Sequence, residues 1–114
     1  LPVLMTMVER GRMSLHDLVR WACEGPARVF GLPRKGRLEV GFDGDIVLVD
    51  PQARRTVTDG QVVTRCGWSP FRDQELSGWP VLTAVLGEPV FRDGQLIDGV
   101  RGRELVCASS KAPQ

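Results

Sequence analysis

The sequence predicts an α+β fold in which helices come first and strands follow. Apolar residues recur at helical spacing between residues 15 and 23, whereas apolar and polar residues alternate after Pro33. The period changes near residues 32–36, and no internal repeat stands out on either side. Segregated helices and strands are typical of an α+β domain or of two partial domains.

Length, composition and charge limit the classes of function that we expect for this chain. The 114 residues suit one modest domain or part of a larger one. Hydrophobic residues make up 42% and charged residues 25%, as in ordinary globular proteins. Because the net charge is only +1 and the charges are interspersed, we expect no nucleic-acid or anionic-lipid partner. We also expect no membrane span, since the chain lacks a run of eighteen apolar residues.

Two helical stretches are predicted at the start. Residues 1–10 permit a helix, which Gly11 ends as a C-terminal cap. Ser14 and Asp17 resemble a capping box that begins a second helix. Its apolar stripe consists of Leu15, Leu18, Val19, Ala22 and Cys23. We expect Gly25-Pro26 to end that helix, and Pro26 to open a short turn that Gly31 closes.

Strands are predicted from residue 37 onward. Residues 37–40 alternate as a half-buried strand does, and residues 45–50 suit a strand covered on both faces that Pro51 stops. Residues 55–58 alternate again, and residues 61–76 hold a short strand and a loop around Trp68. Residues 81–86 and 89–92 predict a hairpin, and Asp93-Gly94 predicts a second turn before residues 95–97. We expect residues 107–114 to form a flexible tail.

No strong catalytic or metal-binding motif is present. His16 follows Leu15 near a helix start and is expected to face solvent, and Ser14, His16 and Asp17 lie too close in sequence to form a triad. The three cysteines do not have the spacing of zinc ligands, so they indicate buried or incidental reduced thiols in a cytoplasmic protein. They are Cys23, Cys66 and Cys107. We therefore expect no catalytic, cofactor-binding or metal-binding residue in this chain.

Other patterns favour structural roles. Asp43-Gly44-Asp45 predicts a turn, because the remaining ligands of a calcium loop are absent. The glycines of this region do not follow a dinucleotide-binding order. Trp21, Trp68 and Trp79 are expected to be packing anchors. The start of the chain does not resemble a signal peptide, and we expect it to lie partway through a helix.

The order of several sequence blocks resembles the cyclic amidohydrolase family. Residues 1–4, 11–15 and 25–32 are similar to the end of that family's barrel. Residues 35–51 are similar to its "K-G-x-I-x-x-G-x-D-A-D-hydrophobic" segment, which opens a C-terminal β-sandwich. Residues 68–71, 76–78 and the Thr83-x-x-x-Gly87 strand resemble the dihydroorotase branch. The resemblance runs from Leu1 to about Gly94.

This resemblance implies a metal-dependent TIM-barrel hydrolase, with one or two zinc ions and a small β-sandwich built from both chain termini. Dihydroorotases interconvert dihydroorotate and N-carbamoyl-aspartate in pyrimidine biosynthesis. The family's metal ligands, an H-x-H pair, a carbamylated lysine, two histidines and an aspartate, precede the position that matches Leu1. No catalytic residue is therefore carried over to this chain, and zinc is expected only in the parent enzyme.

The resemblance thus predicts a C-terminal fragment that is not catalytic by itself. Residues 1–32 would be the last barrel helices, residues 33–106 the sandwich strands, and the missing N-terminal barrel the main partner. Gly44 and Gly25 depart from the alanine and asparagine that the family more often has. Allantoinase, hydantoinase and inactive relatives remain alternatives, as do an autonomous β-rich interaction module and a subunit of a homo-oligomer.

Overall fold

Helices occupy the first thirty residues and strands the part after residue 45, so the predicted α+β order is confirmed. The computed structural model describes residues 1–107, so the tail expected at residues 107–114 lies, beyond its first residue, outside the described residues. Its elements are α1 (Pro2–Glu9), α2 (Leu15–Val19), a π-helical turn (Arg20–Glu24), α3 (Gly25–Val29), β1 (Ile46–Thr56), a 3₁₀ turn (Asp59–Gln61), β2 (Glu75–Val85), β3 (Glu88–Arg92) and β4 (Gln95–Leu96). No helix within these residues is both long enough and apolar enough to cross a membrane.

The boundaries of the first two helices follow the predicted caps. Gly11 adopts a φ of +67° after α1, and its N–H donates to the Val8 carbonyl over 3.0 Å. Ser14 and Asp17 form the capping box at the start of α2. The Asp17 N–H donates to Ser14 Oγ over 3.0 Å, and the Ser14 N–H donates to Asp17 Oδ2 over 3.1 Å. These two reciprocal bonds satisfy backbone donors that have no partner inside the helix.

The second helix does not end at Gly25-Pro26, so that prediction was wrong. The chain passes through the π-helical turn directly into α3, and Glu24 and Gly25 keep helical dihedrals. A proline inside an α-helix lacks the N–H for its own bond and crowds the carbonyl four residues earlier. The wider π turn, in which the Gly25 N–H donates to the Arg20 carbonyl, accommodates Pro26 without stopping the helix. Gly31 ends α3 as predicted, with a φ of +59°.

The predicted strand at residues 37–40 does not form. The segment is irregular, and the Phe42 N–H donates to the Glu39 carbonyl in a turn. Leu38 is exposed and Val40 has a relative accessibility of 101%. Alternation is not enough for a strand, because the backbone groups also need a neighbouring strand to bond to. Among the described residues none pairs with this segment.

Within residues 1–107, four antiparallel strands form one sheet in the order β1-β2-β3-β4. The predicted hairpin is confirmed as β2 and β3, joined at Leu86-Gly87, and β4 follows the predicted Asp93-Gly94 turn. All four turn residues have positive φ values, between +48° and +88°. Two-residue turns of this kind match the twist of the strands they join.

Two further strand predictions need correction. β1 continues through Pro51 to Thr56 rather than stopping there. Its pairing with β2 shifts between Asp50 and Arg54, and β1 lies at the sheet edge, where a missing N–H is tolerated. Residues 62–74 contain no strand, since β2 begins only at Glu75. β1 is also largely exposed instead of covered on both faces within residues 1–107.

The buried apolar core is small. Within residues 1–107, the buried hydrophobic residues are Leu18, Ala27, Leu76 and Ala84. α1 packs against β2, so the first helix and the sheet form one structure. Trp79 is half-buried and donates from Nε1 to the Leu76 carbonyl over 2.7 Å. Trp21 and Trp68 are exposed, so of the three tryptophans only Trp79 matches the predicted packing role in the described part of the chain.

Candidate functional site

A buried hydrogen-bond pair joins α1 to the sheet. Thr6 Oγ1 donates to the Pro2 carbonyl over 2.8 Å and accepts from the Ser77 N–H over 2.9 Å. Thr6 is 6% exposed and Ser77 2%. A buried N–H without an acceptor would be costly, so the hydroxyl of Thr6 fixes where α1 sits on β2.

Close backbone contact strengthens the same junction. Gly78 has a φ of +72°, and a Cβ placed on it would lie 2.3 Å from Met5 Cβ. Only glycine therefore allows α1 to approach β2 this closely. No local sequence pattern marks Thr6 or Gly78 as a residue that holds α1 on β2, because the junction joins residues about seventy positions apart.

An ion pair lies at the rim of this junction. Arg54 on β1 binds Glu9 at the end of α1 through both guanidinium nitrogens, with Nη1 donating to Oε2 over 2.9 Å. These hydrogen bonds are the main reason why the pKa of Glu9 falls to about 2. Both groups are well exposed, so water screens the pair and the pair sets geometry more than stability.

A second cluster ties the helix-to-strand connection to the β2–β3 turn. Lys35 Nζ lies 3.0 Å from Asp43 Oδ2 and also bonds Asp45. Asp45 Oδ1 accepts from the Leu86 N–H over 2.9 Å, and the Gly87 N–H donates to the Gly44 carbonyl over 2.9 Å. A Cβ on Gly44 would lie 3.1 Å from the Gly87 nitrogen, so even alanine would require a small shift there.

The electrostatics of this cluster favour its charged forms. The hydrogen bond to Asp45 raises the pKa of Lys35, although partial burial acts in the opposite direction. For Asp45, partial burial acts to raise the pKa, but the hydrogen bonds from Lys35 and the Leu86 N–H outweigh it and the pKa is lowered. The side chains therefore hold residues 33–45 against the hairpin as ions.

An apolar cleft of about 850 Å³ opens beside this cluster. It lies between the helical segment α2–α3 and the start of β1. Its apolar lining includes Val19, Ala22, Pro26, Ala27, Leu32, Leu38, Ile46 and Val47. Val19 and Ala22 belong to the predicted apolar stripe of the second helix, and Ile46 and Val47 to the predicted apolar strand. The predicted apolar stripe and the predicted apolar strand therefore line the same cleft. Such a contiguous exposed apolar surface is typical of a contact region.

The residues considered for chemistry do not come together. His16 is exposed, as expected, and Ser14 bonds Asp17 only as a helix cap. All three cysteines are free thiols, and because all are exposed, the incidental rather than the buried alternative holds for them. Asp43-Gly44-Asp45 forms the predicted turn, in which the Asp45 N–H donates to the Asp43 carbonyl over 2.8 Å. Within residues 1–107, no group of three or more His, Cys, Asp and Glu side chains could hold a metal ion.

The Cys66 thiol has a distinctive local environment in the β1–β2 loop. Its Sγ lies 3.0 Å from Thr64 Oγ1 and donates to the Trp68 carbonyl over 3.5 Å. The hydrogen bond with Thr64 lowers the pKa of Cys66. No catalytic base accompanies this thiol in the described part of the chain, so the arrangement gives no nucleophile–base pair.

Residues 1–90 match the amidohydrolase family. Among curated relatives, a dihydroorotase of Methanothermobacter thermautotrophicus is 37% identical over 99 residues, which cover 87% of this chain and 23% of the relative. An L-hydantoinase of Paenarthrobacter aurescens is 39% identical over 99 residues, covering 85% of this chain and 22% of the relative. The chain therefore spans roughly a quarter of the length of these relatives.

Solved structures of enzymes with similar sequences also superpose on this chain. The L-hydantoinase (dihydropyrimidinase) from Arthrobacter aurescens superposes with a TM-score of 0.82 at 39% identity, over 85% of this chain and 22% of that one. A D-hydantoinase (dihydropyrimidinase) from Thermus sp. superposes with a TM-score of 0.71 at 33% identity, over 82% and 22%. Sequence and fold agree across most of the chain, and the chain belongs to the amidohydrolase family.

Proposed function

We propose that this chain is the C-terminal structural part of a dihydroorotase-like cyclic amidohydrolase. The parent reaction is the reversible hydrolysis of dihydroorotate to N-carbamoyl-aspartate. Residues 1–32 are the last helices of the barrel, and residues 33–106 contribute strands to the β-sandwich beside it. The chain itself is not catalytic; it packs against the barrel and holds the satellite sheet in place.

The contrast between the small core and the open apolar cleft carries this proposal. Four hydrophobic residues are buried within residues 1–107, whereas the cleft beside α2, α3 and β1 offers about 850 Å³ of space with mainly apolar walls. A chain of this length needs to bury a large share of its apolar surface to be stable alone. Packing against further structure would supply that burial. The share of the relatives that the chain covers is consistent with this role.

The zinc of the parent enzyme belongs, in this proposal, to residues outside this chain. The described residues do not form a suitable ligand group, so they do not fit the metal. No step of the hydrolysis is assigned to them. Their contribution is mechanical: the Thr6–Ser77 and Lys35–Asp45 contacts fix the sheet relative to the helices.

A hydantoinase parent is the second candidate. The L-hydantoinase of Paenarthrobacter aurescens has slightly higher identity than the Methanothermobacter thermautotrophicus dihydroorotase, at 39% against 37%. Two of the solved structures that superpose on this chain are also hydantoinases. The dihydroorotase parent is preferred because residues 68–71 and 76–78 resemble that branch and because several of the curated relatives are dihydroorotases.

Chimeric enzymes test the proposal. The segment of the Methanothermobacter thermautotrophicus dihydroorotase that aligns with this chain is replaced by this chain, and the same exchange is made in the Paenarthrobacter aurescens L-hydantoinase. We expect the dihydroorotase chimera to fold, to bind zinc and to keep the larger fraction of its parent's activity. The readouts are metal content, thermal unfolding and hydrolysis of each parent's substrate.

Each parent truncated before the exchanged segment is the control, and it should aggregate or lose activity. If the hydantoinase chimera alone kept activity, the second candidate would replace the first. If both chimeras behaved like the truncated controls while the 114-residue chain folded as a stable monomer, an autonomous interaction module would be the better account.

A further inference from the structure

No further inference is drawn: the strongest candidate, the β1–β2 loop that exposes Trp68 and Phe71, is an unpartnered apolar surface, and nothing among residues 1–107 shows what covers it.

Discussion

At Gly78 the helix α1 lies so close to β2 that an added Cβ would be 2.3 Å from Met5 Cβ. Alanine there would combine an unfavourable positive φ, worth about 1 kcal/mol, with a clash against Met5 worth about 1–3 kcal/mol. We expect Gly78→Ala to lower the free energy of unfolding by about 2–4 kcal/mol, or to prevent folding. Urea unfolding followed by circular dichroism measures this change.

Gly94→Ala is the matched control for this substitution. Gly94 also has a positive φ, of +88°, but no atom lies within 4 Å of a Cβ placed there. Only the backbone strain of about 1 kcal/mol should remain. Equal losses in the two variants would show that α1 does not press on β2 at Gly78.

Glu9 gives a pH-dependent test at the same junction. Its pKa in the folded chain, about 2, lies below the ordinary value of 4.5. The Glu9–Arg54 pair therefore stabilises the fold fully above about pH 4.5, and this contribution is lost as the pH falls toward 2. We expect Glu9→Gln to reduce stability at pH 6 and to have less effect at pH 3.

Chemical denaturation at the two pH values measures this difference, and Glu88→Gln on the distant hairpin serves as the control. A carboxyl titration by NMR provides an independent check on Glu9. A midpoint near 4.5 in the folded chain would contradict the ion pair with Arg54.

The stability of α2 depends on the side chain of Ser14, which caps its first turn. Ser14 accepts from the Asp17 N–H and donates to the Asp17 carboxylate over 2.6 Å. The hydroxyl lowers the pKa of Asp17. We expect Ser14→Ala to cost about 1 kcal/mol and to raise the pKa of Asp17, whereas Ser14→Thr, which keeps the hydroxyl, should retain most of the stability. Thermal unfolding and an NMR titration of Asp17 measure both effects; an alanine variant as stable as the threonine variant would exclude the cap.

The connection between α3 and β1 depends on Lys35 rather than on its neighbour Arg34. Lys35 is 15% exposed and contacts both Asp43 and Asp45, whereas Arg34 is 66% exposed and contacts Asp43 alone. We expect Lys35→Met to cost about 1–3 kcal/mol, because two partly buried carboxylates lose a donor. Arg34→Met should cost at most about 1 kcal/mol, as for other exposed pairs. Urea unfolding of both variants tests this, and similar losses would contradict the assigned role of Lys35.

Elements set by local chemistry could be predicted from the sequence, and elements set by distant groups could not. The Ser14 cap and the Asp93-Gly94 turn depend on residues within a few positions, and both were predicted correctly. The strand at residues 37–40 was predicted wrongly because a strand also requires a partner. Pro26 and Pro51 were wrongly taken as stops, since a π turn and a shifted edge register accommodate them.

The candidate site also combines features that the local sequence shows with features that depend on distant residues. The apolar stripe containing Val19 and the apolar strand containing Ile46 were each visible in the sequence, but the cleft that they form together depends on how residues 33–45 fold back. The Thr6–Ser77 junction spans 71 positions, so no local pattern could reveal it.

At the scale of the whole molecule, the proposed role as part of a larger enzyme accounts for the arrangement of the apolar surface. Apolar side chains of the α2–α3 segment and of the edge strand β1 line the same open cleft. The polar contacts of Lys35 and Thr6 hold the helices and the sheet together. This arrangement suits a piece that is rigid internally and covered by further structure. The proposed C-terminal part of a cyclic amidohydrolase has both properties.

Hydrogen exchange at the cleft is the most direct test of that claim. Exchange is measured by mass spectrometry on peptides spanning residues 19–27 and 46–49, in the 114-residue chain alone and in the dihydroorotase chimera. We predict markedly slower exchange in the chimera for these peptides, with little change around the Asp93-Gly94 turn. Equal protection of the cleft peptides in the isolated monomer and in the chimera would contradict the proposal that the barrel covers this surface.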